Sequence, residues 1–208
     1  MAKPTPKDVL FMQVALREDE RGRGHVHPNP LVGAVLVSRG KVIARGGHLR
    51  FGGAHAEVNA LKSLRSIPGR AVLYTTLEPC SHTGKTPPCT EWLLGKKIKT
   101  IVVGMKDPNP LVSGRGIHTL KKRGVHVSMS AIGDQCEYLN RDFKKWIQTM
   151  TPYVTVKAAQ TLDGKIASAT GASKWITGLQ ARNKAHLLRH EADAVLVGIG
   201  TVLKDNPR

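Results

Sequence analysis

Residues 71–89 read Ala71-Val72-Leu73-Tyr74-Thr75-Thr76-Leu77-Glu78-Pro79-Cys80-Ser81-His82-Thr83-Gly84-Lys85-Thr86-Pro87-Pro88-Cys89. Ala71–Thr76 is apolar and β-branched and reads as a strand, and Thr90–Lys97 beyond it as a short helix. The two cysteines therefore stand after a strand and before a helix, the carboxyl-edge location where open α/β sheets place their sites. Upstream, His55-Ala56-Glu57 opens a run in which Val58, Leu61 and Leu64 recur at helical spacing. His55 and Glu57 then fall near a helix N-terminus, whose partial positive charge favours a carboxylate.

His55, Cys80 and Cys89 offer three zinc ligands, and Glu57 a carboxylate that is not needed as one. Catalytic zinc takes three protein ligands and leaves the fourth position to water, whose pKa falls to roughly 7. Glu57, two residues after the ligand His, can take a proton from that water and return it to a substrate, the acid/base role of hydrolytic deamination. The order His-x-Glu, Pro-Cys, Cys resembles that of zinc-dependent deaminases of nitrogen heterocycles. A structural zinc would need a fourth protein ligand, and Glu57 would have to serve; His82 is the alternative ligand, or else it lines the pocket.

Outward from this core the chain alternates. Residues 8–20 carry an apolar stripe, Val9, Leu10, Met12, Val14 and Leu16, and predict an amphipathic first helix. Leu31–Val37 and Lys41–Ala44 flank Ser38-Arg39-Gly40 as a hairpin would. Thr100–Met105 and Val125–Met129 read as strands, Gly116–Arg123 as a helix. Such alternation predicts crossover connections and a partly parallel sheet covered on both faces, a three-layer α/β/α domain. Cys136, Leu139, Phe143 and Trp146 or Ile147 mark one long helix to about Met150, and Thr151-Pro152 marks a break. After it, Tyr153–Ala159 and Ala194–Gly198 read as strands and Leu179–His190 as a helix. This divides the chain into residues 1–150 and 151–208, the latter too short to close a core of its own.

Composition narrows the class less. A net charge of +17 attracts nucleic acids, membranes and phosphorylated small molecules alike. The cations are scattered, and the clusters Lys96-Lys97-Lys99 and Lys121-Lys122-Arg123 sit near expected helix ends, where they complement the dipole. Aromatic residues are only 4% of the chain, too few stacking platforms to favour single-stranded nucleic acid as a partner. Of three cysteines, two are claimed by the metal and Cys136 lies on an apolar face, which excludes a disulfide framework and fits a reducing cytoplasm. Met1–Val9 lacks a signal-peptide core and no apolar run approaches the ~18 residues of a membrane span; a cytoplasmic protein with no membrane partner is expected.

Deaminases acting on nucleic acids or nucleosides commonly separate their two cysteines by two residues; here the eight residues Ser81–Pro88 intervene. With Thr75-Thr76-Leu77-Glu78-Pro79 before it, that stretch resembles the deaminase domain of the bifunctional deaminase/reductase family of riboflavin biosynthesis. Pro28-Asn29-Pro30-Leu31-Val32-Gly33, the segment from Gly47-His48 to Glu57, and Asp107-Pro108-Asn109-Pro110 carry the same resemblance. It implies a cytidine-deaminase-like domain that hydrolytically removes the 2-amino group of 2,5-diamino-6-(5-phosphoribosylamino)pyrimidin-4-one, with substrate contacts at Asn29, His48, Lys85 and Asn109. Lys85 could meet the substrate phosphate as a point charge, and the Asn amides could bond a polar pyrimidine. Turn chemistry beside prolines explains Asn29 and Asn109 about as well.

Lys157-Ala158-Ala159-Gln160-Thr161-Leu162-Asp163-Gly164-Lys165-Ile166-Ala167, Ser173-Lys174-Trp175-Ile176-Thr177, Arg189 and Gly198–Arg208 resemble the start of the same family's reductase domain. The resemblance implies the N-terminal part of a dihydrofolate-reductase-like α/β domain using NADPH to open a ribosyl ring to ribityl. Ala159, Trp175, Thr201 and Asp205 would contact the cofactor, and Ser173 and Arg189 the phosphorylated substrate. Read alone, Trp175 is core, Asp205 a turn former and Arg189 a helix-surface charge, and no G-x-G-x-x-G fingerprint is present. The resemblance places the reductase's later cofactor-binding segment beyond Arg208, so deamination without reduction is expected of this chain, along with a homo-oligomer. The rival readings are a nucleoside or tRNA deaminase, and a basic nucleic-acid-binding module with structural zinc.

Overall fold

The computed structural model describes residues 5–84 and 86–206, the side chain of Asp205 excepted. Lys85 lies outside the described residues. The chain divides into two compact units, Met1–Tyr153 and Val154–Arg208.

The first unit is built on five strands, β1 (Gly33–Ser38), β2 (Lys41–Gly47), β3 (Val72–Leu77), β4 (Thr100–Met105) and β5 (His126–Met129), in the order β2-β1-β3-β4-β5. Strands β1 and β2 form the expected hairpin, turned at Arg39 and Gly40 with φ of 51° and 74°. Two consecutive positive φ values mark the turn whose twist suits antiparallel strands. β1 also pairs antiparallel with β3, whereas β3, β4 and β5 run parallel, as the strand–helix alternation predicts.

The helices are α1 (Pro6–Asp19), α2 (Ala56–Leu61), α3 (Cys89–Gly95), α4 (Arg115–Lys122), α5 (Gly133–Leu139) and α6 (Arg141–Thr149). Thr5 and Asp8 close a capping box at the start of α1, with Pro6 behind the cap. Tyr74 then donates to Asp8 at 2.6 Å and ties α1 to β3. Adjacent glycines show the two faces of the sheet: a Cβ on Gly46 would meet Ala60 of α2, and one on Gly47 would meet Glu18 of α1. α1 and α5 cover one face, while α2, α3 and α4 cover the other. Leu36, Leu73, Ile101 and Val103 are fully buried between them.

The long helix expected up to Met150 is instead two. Asn140, with φ −104° and ψ 24°, leaves helical geometry between α5 and α6. Its buried carboxamide accepts from Leu31 N at 2.8 Å and donates to Leu31 O at 2.9 Å. That pair satisfies an otherwise orphaned peptide in the loop before β1, which offsets the broken helix.

The second unit holds α7 (Leu179–Glu191) and α8 (Ile199–Asp205). The strands expected over residues 153–159 and 194–198 do not form among the described residues. Their apolar, β-branched composition suits a sheet, but a strand is made by the ladder beside it. Val156 and Leu196 stand almost wholly exposed. Among the described residues no helix is long and apolar enough to cross a membrane.

Candidate active site

Three elements bring the expected ligands together. His55 is the N-cap of α2, with extended φ and ψ, so its ring projects back from the helix start. Cys80 follows the carboxyl end of β3, and Cys89 is the first residue of α3. Thr90 N donates to Cys80 O at 3.1 Å and Cys89 N to Cys80 Sγ at 3.3 Å, which binds the two ends of the intervening segment. His55 Nδ1 lies 3.1 Å from Cys89 Sγ and 3.6 Å from Cys80 Sγ, and all three ligand atoms fall within 4.8 Å of one another. Ligand atoms around tetrahedral zinc, with Zn–S about 2.3 Å and Zn–N about 2.0 Å, stand roughly 3.5–4 Å apart, so the donor set fits the ion.

Electrostatics point the same way. Glu57 is buried at 3% exposure, its Oε2 3.6 Å from Cys89 Sγ, and burial pushes its carboxyl above the ordinary range. Hydrogen bonding with Cys89 and His55 holds the Cys80 thiol well below its usual range despite burial. Cys89 moves the opposite way, chiefly because its thiol is hydrogen-bonded to Cys80 and buried, and further because a second thiolate beside Cys80 and Glu57 would crowd like charges. His55 is raised chiefly by its bond to Cys80. A divalent cation among these groups would let both sulfurs ionise.

His55, Glu57 and Cys80 line a cavity of about 310 Å³, with Cys89 buried behind them. Asn29, His48, Glu57, Cys80, His82, Asp107, Phe51 and Phe143 are among its lining residues. His48 Nδ1 is 3.1 Å from Ala54 O, and His48 Nε2 is 3.1 Å from Asn29 Nδ2. Burial lowers the pKa of His48 and favours its neutral ring.

Of the remaining expected contacts, Asn109 is outside the cavity lining. Its Oδ1 accepts from Leu111 N and its N–H donates to Asp107 Oδ1, at 3.0 and 2.9 Å. It thus shapes the turn that carries Asp107, which does line the cavity. In the second unit, Trp175 is exposed and stacked by Arg182, with the guanidinium carbon 4.1 Å from its ring, and is not core. Ser173, Arg189 and Thr201 are exposed, Ala159 is half-buried, and Asp205 ends α8 with its side chain outside the description.

Sequence reasoning gave no role to Glu78. Its buried carboxylate accepts from Asp107 N at 3.2 Å, Gly114 N at 2.8 Å and Ile117 N at 3.0 Å. Glu78 thereby caps α4 from just beyond the end of β3 and fixes the 107–114 loop near Cys80. The available signal was a carboxylate directly after an uncharged strand.

Residues 5–105 match the family described as the cytidine and deoxycytidylate deaminase zinc-binding region, and residues 152–208 the RibD C-terminal domain. The riboflavin biosynthesis protein RibD of Aquifex aeolicus is 48% identical over 200 residues, 96% of this chain and 56% of that protein. The chain belongs to the RibD family. Solved structures agree: RibD of Acinetobacter baumannii superposes with a TM-score of 0.88 at 43% identity, covering 97% of this chain and 56% of that one. The diaminohydroxyphosphoribosylaminopyrimidine deaminase/5-amino-6-(5-phosphoribosylamino)uracil reductase of Thermotoga maritima gives 0.88 at 46% identity, covering 95% and 57%. The chain therefore spans little more than half the length of these RibD relatives. Its deaminase-type region carries the His/Cys/Cys group, and its RibD C-terminal match begins at Pro152.

Proposed function

We propose that residues 1–150 are a zinc-dependent pyrimidine deaminase domain and residues 151–208 the N-terminal fragment of a reductase domain. The substrate is 2,5-diamino-6-(5-phosphoribosylamino)pyrimidin-4-one, deaminated at its 2-amino group in riboflavin biosynthesis. The observation that carries this reading is the convergence of the ligand atoms of His55, Cys80 and Cys89 at the edge of the cavity, with the buried carboxyl of Glu57 beside them.

His55 Nδ1 and the sulfurs of Cys80 and Cys89 would hold the zinc. Bound by three protein ligands, zinc supplies Lewis acidity that brings a water's pKa to about 7. Glu57 takes a proton from the attacking water and delivers it to the ring nitrogen next to the amino-bearing carbon. A further proton passes through the same carboxyl to the amine, which departs as ammonia while the ring carbon keeps the water oxygen as a carbonyl. A carboxyl whose pKa is raised by burial suits this exchange near neutral pH. Asn29 and His48 hold the pyrimidine by hydrogen bonds from the cavity wall. Lys85 meets the phosphate, and Asn109 contributes through its turn.

In full-length relatives the second domain would reduce the ribosyl group with NADPH, using Ala159, Trp175, Thr201 and Asp205 for the cofactor and Ser173 and Arg189 for the substrate. The protein acts in the cytoplasm as a homo-oligomer, without nucleic-acid or membrane partners. Ammonia release from the diaminopyrimidine phosphate, set against cytidine and tRNA, tests the reading: release from either of the latter alone would overturn it.

A further inference from the structure

We infer that Thr86 is a positioning residue for the metal-binding ring of His55, an inference that rests on the zinc-deaminase reading. His55 turns Nδ1 toward both sulfurs, at 3.1 and 3.6 Å. A ring nitrogen that binds a metal offers its lone pair, so the ring's proton must sit on the other nitrogen, Nε2. Nε2 lies 3.3 Å from Thr86 Oγ1, an atom able to accept that proton's hydrogen bond. The hydroxyl thereby selects the tautomer with Nδ1 free and fixes the rotation of the ring about its Cβ–Cγ bond. Partners of this kind commonly govern metal affinity by about 10- to 100-fold.

The segment between the cysteines explains how a lone hydroxyl can be placed well enough to do this. Thr86 is joined to Cys89 through Pro87-Pro88, whose rings hold φ near −65°, and Pro88 is itself the N-cap of α3 with φ −57°. Cys89 N in turn is bonded to Cys80 Sγ. One short stretch of chain therefore presents a ligand sulfur and the hydroxyl that orients the ligand imidazole, with little torsional freedom between them. Two residues between the cysteines would leave no room for this arrangement; the eight present here provide it.

The test compares the full chain with Thr86→Val, which keeps the shape and removes the acceptor, and Thr86→Ser, which restores it. Zinc affinity is read by competition with a chromophoric chelator, and the His55 Nε2–H proton is followed by NMR in the zinc-loaded proteins. The expected result is a loss of roughly 10- to 100-fold in affinity for Thr86→Val, one zinc still bound at saturation, and faster exchange of the Nε2 proton. Thr86→Ser should lie close to the parent in both. Equal affinity and equal proton exchange in the parent and Thr86→Val would overturn the role of Thr86 while leaving the zinc site intact. A Thr86→Ser protein as weak as Thr86→Val would also overturn it, since the hydroxyl would then be irrelevant. Failure of the parent itself to bind zinc would instead overturn the zinc-deaminase reading on which this one rests.

Discussion

The Nε2 of His48 lies 3.1 Å from the Nδ2 of Asn29, and this contact orders both side chains. A carbonyl can only accept, so the 3.1 Å approach of His48 Nδ1 to Ala54 O puts the ring proton on Nδ1. The neutral ring then accepts at Nε2 from the Asn29 amide, and in the proposed function this leaves Asn29 its Oδ1 to accept from a substrate donor.

Asn29→Asp should break this order. A carboxylate has no proton to give, so it forces one onto Nε2 and raises the pKa of His48, which burial otherwise lowers. An NMR titration should show His48 changing from neutral to cationic at pH 7. Exchanging the neutral amide–imidazole pair for an ion pair also removes the amide N–H donors from this wall, and kcat/KM for deamination should fall by about 10- to 100-fold.

Glu57→Gln should retain zinc and lose deamination by at least about 100-fold, whereas Cys89→Ala should lose most of the metal. Metal analysis beside ammonia release separates the two. Full activity in the Glu57→Gln protein would remove Glu57 from proton transfer.

Glu78→Gln leaves one accepting oxygen for three N–H groups and turns an amide NH₂ toward at least one of them. Stability should fall by about 1–3 kcal/mol. Because the 107–114 loop is released while the ligands stay, KM should rise more than kcat falls, with zinc content unchanged. Loss of zinc in step with activity would show that Glu78 supports the ligands instead.

Asp19 is wholly buried, and burial, reinforced by the charge of Glu20, raises its pKa to about 8. The folded state thus binds a proton that the unfolded state, near the ordinary 3.8, has already released. Its contribution to stability is greatest below about pH 4 and declines as pH rises to about 8, by an upper bound on the order of 5 kcal/mol. Asp19→Asn removes this slope. Denaturation at pH 5, 7 and 9 should show the variant gaining on the parent with each step; parallel curves would contradict the shift.

That His55, Glu57, Cys80 and Cys89 come together was legible in the sequence, because ligand chemistry restricts which residues can serve and in what order. The elements of the first unit were legible for a different reason: strand β3 and helix α1 carry their own apolar periods. What stayed hidden depends on distant partners. Nothing near Asn140 announces a helix break whose cause is Leu31, 109 residues away. Glu78 and Thr86 take their roles from atoms that only the fold brings near. The runs at 153–159 and 194–198 have strand composition, yet composition does not supply the ladder.

The clasp between Asn140 and Leu31 also decides where the molecule can be cut. Sequence similarity to the deaminase zinc-binding region ends at residue 105, and an expression boundary drawn there would look safe. It would strip the Leu31 peptide of both its bonds, uncover the sheet face under α5 and remove Phe143 from the cavity. The shortest fragment worth purifying runs past α6, some forty-five residues beyond the point where the recognisable motif stops.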